Sequence, residues 1–131
     1  MKYSYPAIFR PAEKGMYEVW FPDLDNCFTS GENLADAILQ ASDVLNLTLW
    51  EMEESKDLLP KPSALNEISK HDGDIVNLIA ADTLAYRKKY DKRAVKKTLS
   101  IPRWMDCMAV ERNINFSNVL QKALLREFGM E

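Results

Sequence analysis

The chain has 131 residues, 47% of them apolar, with 17 Lys+Arg against 20 Asp+Glu and a formal net charge of −3. That is the size of one ordinary domain or two small ones, with enough apolar material for a core, which excludes global disorder. No apolar run approaches the roughly 18–20 residues that a membrane-spanning helix requires, so no membrane partner is expected.

The small net charge hides an asymmetry. Residues 1–72 carry 13 Asp+Glu against 6 Lys+Arg, whereas residues 73–131 carry 7 against 11. Halves of opposite sign suit partners of opposite charge: nucleic acid for the basic half, a basic protein for the acidic one, or plain solvent for both. Met1-Lys2-Tyr3-Ser4-Tyr5-Pro6 lacks the apolar stretch of a signal peptide. Cys27 and Cys107 stand far apart in dissimilar segments, so both are expected to be reduced and buried, and the protein cytoplasmic.

Tyr3, Tyr5, Ile8 and Phe9 mark a first strand. Glu13-Lys14-Gly15 reads as a turn, and Met16 to Phe21 alternates as a second strand with Tyr17, Val19 and Phe21 on one face. Phe21 therefore belongs to the core. Trp20, on the opposite face with Met16 and Glu18, is the candidate for contact with a partner. Pro22 to Asn26 breaks the strand, and Cys27-Phe28-Thr29 makes a short third one. Asn33 then stands as an N-cap with Asp36 three residues on, close to a capping box.

Leu34, Ile38, Ala41, Leu45, Leu49 and Met52 recur at helical spacing, so a helix should run to about residue 54. Its end carries Glu51-Met52-Glu53-Glu54, where the helix dipole disfavours negative charge; the run reads as a solvated face or as a contact for a basic partner. Lys56 to Pro62, polar and with two prolines, is a loop. Asp74 to Ala81, with Ile75, Val76, Leu78 and Ile79, reads as a fourth and largely buried strand. The order βββαβ over residues 1–82 is an α+β arrangement with one sheet face covered. Residues 83–93, strongly basic, are expected to be a linker able to add phosphate contacts.

The last third reads as strand, helix, turn and helix. In Ala94 to Pro102, the residues Val95, Leu99 and Ile101 fall on one face of a strand, and Lys96, Thr98 and Ser100 on the other. Lys97 departs from the pattern, sitting on the apolar face, from which it can snorkel. Pro102 ends the strand and suits the first turn of a helix. A strand and two helices this short cannot bury their apolar faces alone. Pairing the strand with its copy from a second chain solves that, and leaves a two-stranded ribbon whose polar face fits the DNA major groove. Trp104, Met108, Val119, Leu120, Ala123, Leu124 and Phe128 then become dimer core.

These residues carry two resemblances. Residues 94–131, with "KKTLSIP", "PRWMDCMAVERN", "NIN" and "FSNVLQKALLREFG", resemble a ribbon-helix-helix (βαα) domain, an obligate-dimer fold of small bacterial repressors. That resemblance implies base contacts from Lys96, Thr98 and Ser100, and a DNA phosphate held by the amides of Asn115, Phe116 and Ser117. Helix N-termini suit anions in general. Residues 1–82 resemble the N-terminal domain of HicB-type antitoxins: Gly15, Phe21 to Leu24, Cys27-Phe28-Thr29-Ser30-Gly31, the Ala- and Leu-rich segment 34–49, and Pro60-Lys61-Pro62-Ser63. Asn26 replaces that family's usual glycine, a substitution that tolerates positive φ.

The resemblance implies a partly degraded RNase H-like domain that covers the active site of a small basic HicA-type ribonuclease toxin. It further implies a homodimer that binds its own operator DNA and represses its operon, with higher hetero-oligomers when toxin is present. Trp20, Asp23 and Asp25 are the expected toxin contacts. No cofactor and no catalytic residue are expected. The rival readings are a solitary domain with residual metal-dependent ribonuclease activity, for which Asp23 and Asp25 would be candidates, and a ligand-sensing transcription factor. Metal-dependent cleavage needs several converging carboxylates, and a turn aspartate has the simpler role of accepting backbone N–H bonds. His71, the only histidine, reads as a surface group in a loop. Nucleotide, zinc and redox motifs are absent from the sequence.

Overall fold

Tyr5, Ala7 and Phe9 alternate along the first strand, and all three are buried on one face of it. In the computed structural model, which describes residues 1–130, this strand is β1 (Lys2–Pro11). Position 131, the last of the expected C-terminal unit, lies outside the described residues. A short 3-10 turn, Glu13–Gly15, leads to β2 (Tyr17–Trp20), and β3 (Phe28–Gly31) follows. Helix α1 (Leu34–Glu54) separates these from β4 (Ile75–Asp82), and α2 (Thr83–Tyr90) follows at once. Beyond it lie α3 (Arg103–Glu111) and α4 (Phe116–Glu127). Residues 1–93 and 94–131 form two separate compact units.

The sheet order is β3-β2-β1-β4, with every neighbouring pair antiparallel. Pro6, fully buried on the other face of β1, stands opposite Leu78 of β4. Proline is tolerated there because β2 pairs only with residues 8–11 of β1, so no ladder on that side misses its N–H. The expected elements of residues 1–82 are all present. One reading changes: β4 is not largely buried, since Ile79 and Ala81 are covered while Ile75, Asn77, Leu78 and Ala80 are exposed. A strand at the edge of a sheet with a helix on one face only has little to cover it.

Helix α1 begins where Asn33 accepts the Asp36 amide at 2.8 Å, and ends with Lys56 at φ 56° and a bond from the Asp57 amide to Met52 O at 2.9 Å. That is a Schellman turn built with a lysine. The buried stripe is Ala37, Ala41, Leu45 and Leu49. Ile38, expected inward, is instead half-exposed, because the helix turns its smallest residues to the sheet. The reason is Gly31: a Cβ at that position would overlap the backbone nitrogen and Cα of Ala37. Glycine is required there by proximity, and the alanines by the same constraint.

The expected linker is partly a helix docked on the first unit. Asp82 caps α2 by accepting the Ala85 amide at 3.2 Å. Arg87 reaches back to Glu53 and Glu54, both at 3.1 Å. Tyr3 (2.7 Å) and Thr83 (3.0 Å) also donate to Glu53. Burial pushes the Glu53 carboxyl up, but these donors outweigh it and hold the group below the usual carboxylate range. Tyr86 packs edge-on against Trp50 and next to Tyr90. The acidic end of α1, expected to be a solvated face or a partner contact, therefore serves the fold through two of its carboxylates. Asp91 likewise holds Arg93 at 2.8 Å.

Residues 94–101 carry no strand in the single chain, since a strand exists by pairing and this one has nothing in its own unit to pair with. The helices that follow are as expected. Pro102 stands at the N-cap of α3, one residue before the first turn. Asn113 (φ 55°) closes α3, and Gly129 (φ 71°) closes α4, each in a Schellman turn. Cys27 is buried and free; Cys107 is free but exposed, contrary to expectation.

Gly31→Ala should lower stability by about 1–3 kcal/mol, the usual cost of overpacking, as read from urea unfolding. A change below about 0.5 kcal/mol, within the range of neutral surface substitutions, would show that α1 does not approach the sheet this closely.

Candidate functional site

Trp20 and Asp23 line one groove on the face of the sheet turned away from α1, with Ile8, Arg10, Pro22, Ser63, Glu67, Ile68 and His71. Its floor is set by the long return from α1 to β4, which crosses the outer face of β1 and leaves Ile8 only 4% exposed. Asp23 fastens that return. It accepts the Ser63 amide at 2.8 Å and the Ser63 hydroxyl at 2.6 Å, and Tyr5 donates to Pro60 O at 2.6 Å close by. The Pro60-Lys61-Pro62-Ser63 tail is thus tied down at both ends.

The second fastening is ionic. Asp74, almost fully buried, takes both Arg10 Nε and Nη2 at 2.9 Å, a paired fork that fixes the guanidinium plane. The His71 amide also donates to Asp74 at 3.0 Å, and Arg10 Nη2 lies 2.9 Å from His71 Nδ1. The guanidinium bonds hold the Asp74 carboxyl at about 2. The same guanidinium lies 4.8 Å from the centre of the Trp20 ring, a cation–π contact. Arg10 is therefore a residue the sequence reading missed. Its only signal was an arginine directly after the apolar run Pro6-Ala7-Ile8-Phe9.

Asp25 lies apart. It is exposed and lines a second groove with Asp23, Glu51, Thr48, Asp57 and Leu58. Leu58, which lines this groove with Leu24 and Met52, is 94% exposed. The three expected toxin contacts thus divide. Trp20 belongs to the first groove and Asp25 to the second, while Asp23 stands between them, already committed to Ser63. The second groove is acidic with apolar residues beside it, which suits a basic protein. Among the described residues, no group of three or more His, Cys, Asp or Glu side chains is placed to hold a metal ion.

In the C-terminal unit, Lys96, Thr98 and Ser100 are exposed. Asn115 caps α4 by accepting the Asn118 amide at 3.1 Å. The side chain of this expected phosphate contact thus takes up one of the first-turn amides, while Phe116 and Ser117 open the helix and are exposed. Ala109 alone is buried among the described residues of this unit. Val95, Leu99, Trp104, Met108, Val119, Leu124 and Phe128 all lie between 42% and 78% exposed. Apolar surface on that scale marks a protein interface.

A family model described as the HicB-like antitoxin of bacterial toxin–antitoxin systems matches residues 5–124. Antitoxin HicB of Escherichia coli strain K12 is 41% identical over 63 residues, 47% of this chain and 45% of that protein. The chain thus matches about half the length of this curated relative. A toxin–antitoxin complex from Streptococcus pneumoniae aligns with a TM-score of 0.62 and 28% identity, covering 97% of this chain and 99% of that one. The crystal structure of the Burkholderia pseudomallei antitoxin HicB aligns with a TM-score of 0.54 and 21% identity, covering 96% of each chain. No helix among the described residues is long and apolar enough to cross a membrane.

The Asp74 fork has a pH consequence. Its carboxyl sits at about 2 in the folded chain, below the roughly 3.9 of an unfolded aspartate. The folded state therefore holds fewer protons than the unfolded one between those values. Its contribution to stability is complete above about pH 4 and is lost as pH falls through about 2. Arg10→Met should move acid unfolding to higher pH, followed by circular dichroism; an unchanged acid midpoint would sink this account.

Proposed function

The chain belongs to the HicB-like antitoxin family, and on that premise we propose a two-part activity. The first unit neutralises a small HicA-type ribonuclease toxin by covering its active site. The C-terminal unit forms a ribbon-helix-helix dimer that binds operator DNA and represses its own operon in the cytoplasm. The first part is supported by the acidic character of residues 1–72 and by the acidic, apolar-flanked groove around Asp25, Glu51, Asp57 and Leu58. Such a surface steers a basic partner to it.

The observation that carries the second part is the missing core of residues 94–131. A unit with one buried residue among those described and a row of exposed Val, Leu, Trp, Met and Phe side chains buries too little to be stable alone. Pairing residues 94–101 with their copy buries Val95, Leu99 and Ile101 and turns Lys96, Thr98 and Ser100 outward as one basic face. Threonine and serine discriminate bases less sharply than arginine or asparagine. Modest sequence preference, raised by dimers binding side by side, follows.

Purified protein should bind DNA from upstream of its own gene in preference to scrambled DNA at physiological salt. Each good base contact contributes about 1–3 kcal/mol of discrimination. The Lys96/Thr98/Ser100→Ala triple variant should therefore lose that preference by about tenfold or more. Equal binding by the variant would assign the C-terminal unit to dimerisation alone.

Co-expression tests the other half. A neighbouring small reading frame should arrest growth, and the full chain should relieve the arrest. Asp25→Lys with Asp57→Lys, which reverses the charge of the second groove, should weaken that relief. Full relief by this variant would place the toxin elsewhere on the unit.

A further inference from the structure

Strand β4 is an open edge without the usual protections. Ile75-Val76-Asn77-Leu78-Ile79-Ala80-Ala81 contains no charged residue and no proline, and edge strands normally carry one or the other to prevent pairing with another chain. Its backbone polarity can be read from three observations. Leu78 and Asp82 donate their amides to side-chain oxygens, Asn77 Oδ1 at 2.8 Å and Asn46 Oδ1 at 3.1 Å. Leu78 also stands opposite Pro6 of β1, which has no N–H to give. Even-numbered residues of β4 therefore turn their peptide groups away from β1. Asn46 closes the edge at Asp82, which leaves Val76, Leu78 and Ala80 as the outward-facing set.

We propose that this edge pairs with β4 of a second copy of the chain, antiparallel and centred on Leu78. That register alone matches the whole outward set to itself: Val76 to Ala80, Leu78 to Leu78, and Ala80 to Val76. A shift by one residue either way draws in the charged Asp74 or Asp82 instead; the Asn77 oxygen on the Leu78 amide belongs to an exposed side chain and gives way to the second copy's strand. The pairing is two-fold symmetric, as contacts between identical chains usually are. It sets no like charges against each other, because the window is uncharged. It also covers Leu78, which is 47% exposed. The occupant is a second copy because the C-terminal unit already requires one, and tethering two chains there raises the local concentration of one β4 around the other. In that respect the inference rests on the dimer proposed above; the pairing itself does not.

The test uses the full chain with Cys107→Ser, so that the one exposed native thiol is removed. Paired residues in this register have Cα atoms about 5.5 Å apart, within disulfide reach. Leu78→Cys should give a disulfide-linked dimer under mild oxidation. Asn77→Cys, which would face Ile79 rather than its own copy, should stay monomeric on a non-reducing gel. Both positions are exposed, so neither substitution threatens the fold. In the unsubstituted chain, the amides of Val76, Leu78 and Ala80 should exchange with solvent as slowly as those of Asn77 and Ile79. Linking at neither position, linking equally at both, or exchange tens of times faster at the even residues would each overturn the pairing. Sedimentation separates this from the C-terminal dimer. A chain that is monomeric at micromolar concentration, yet links through residue 78 and not 77 when concentrated, sinks the C-terminal dimer and leaves the strand pairing standing.

Discussion

Everything in the first unit hangs on how closely one helix can lie on one sheet. Gly31 on β3 leaves no side chain between the strand and Ala37, and Ala41 continues the same thin seam. Leu45 and Leu49 continue into the one core cluster that also holds Tyr5 and Phe9. With the helix so placed, its polar residues become fixtures for other elements. Asn46 closes the edge of β4, and Glu53 gathers Tyr3, Thr83 and Arg87. A helix set a turn away in rotation would lose these anchors together with the core.

No α-helix of the first unit covers the opposite face of the sheet, which is managed by a chain crossing with one short 3-10 turn, Leu65–Glu67. A connection running from Ser55 to Asp74 would be a costly stretch of irregular backbone if it hung free. Asp23 and Asp74 hold it at two points, one through a serine and one through the Arg10 fork. Arg10 in turn covers part of Trp20. The two carboxylates that look most like catalytic material in the primary structure are of different kinds. Asp23 is a fastener, and Asp25 is a solvent-exposed member of an acidic groove.

Much of this was legible from residue order, for local reasons. Asn33 with Asp36 marks the start of α1, Asn26 takes the positive φ (55°) expected of it, and alternation puts Tyr17, Val19 and Phe21 on one face, of which Val19 and Phe21 are buried and Tyr17 is partly so. What was not legible depended on distance. Ile38 is a better apolar residue than Ala37, and only the approach of Gly31 decides for the smaller one. Thr83 to Tyr90 reads as basic linker because its charges dominate the composition. Its cap from Asp82 was visible, but its anchors, Glu53 and Glu54, lie more than thirty residues away. The exposure of Cys107 and the missing ladder at 94–101 share another cause. On the proposed dimer, a single chain does not contain the surface that its C-terminal residues are patterned to meet.

In the proposed dimer, that last feature sets the order of the reaction by which the DNA-reading ribbon comes into being. Residues 94–101 have no partner strand within their own unit, so the ribbon proposed above is a product of two molecules. At low abundance its amount rises with the square of chain concentration. Halving the supply of chain then removes about three quarters of the assembled ribbon, whereas a self-contained domain would lose half. The proposed ribbon would answer to its own dosage more steeply than any single-chain reader could, with no ligand or modification involved.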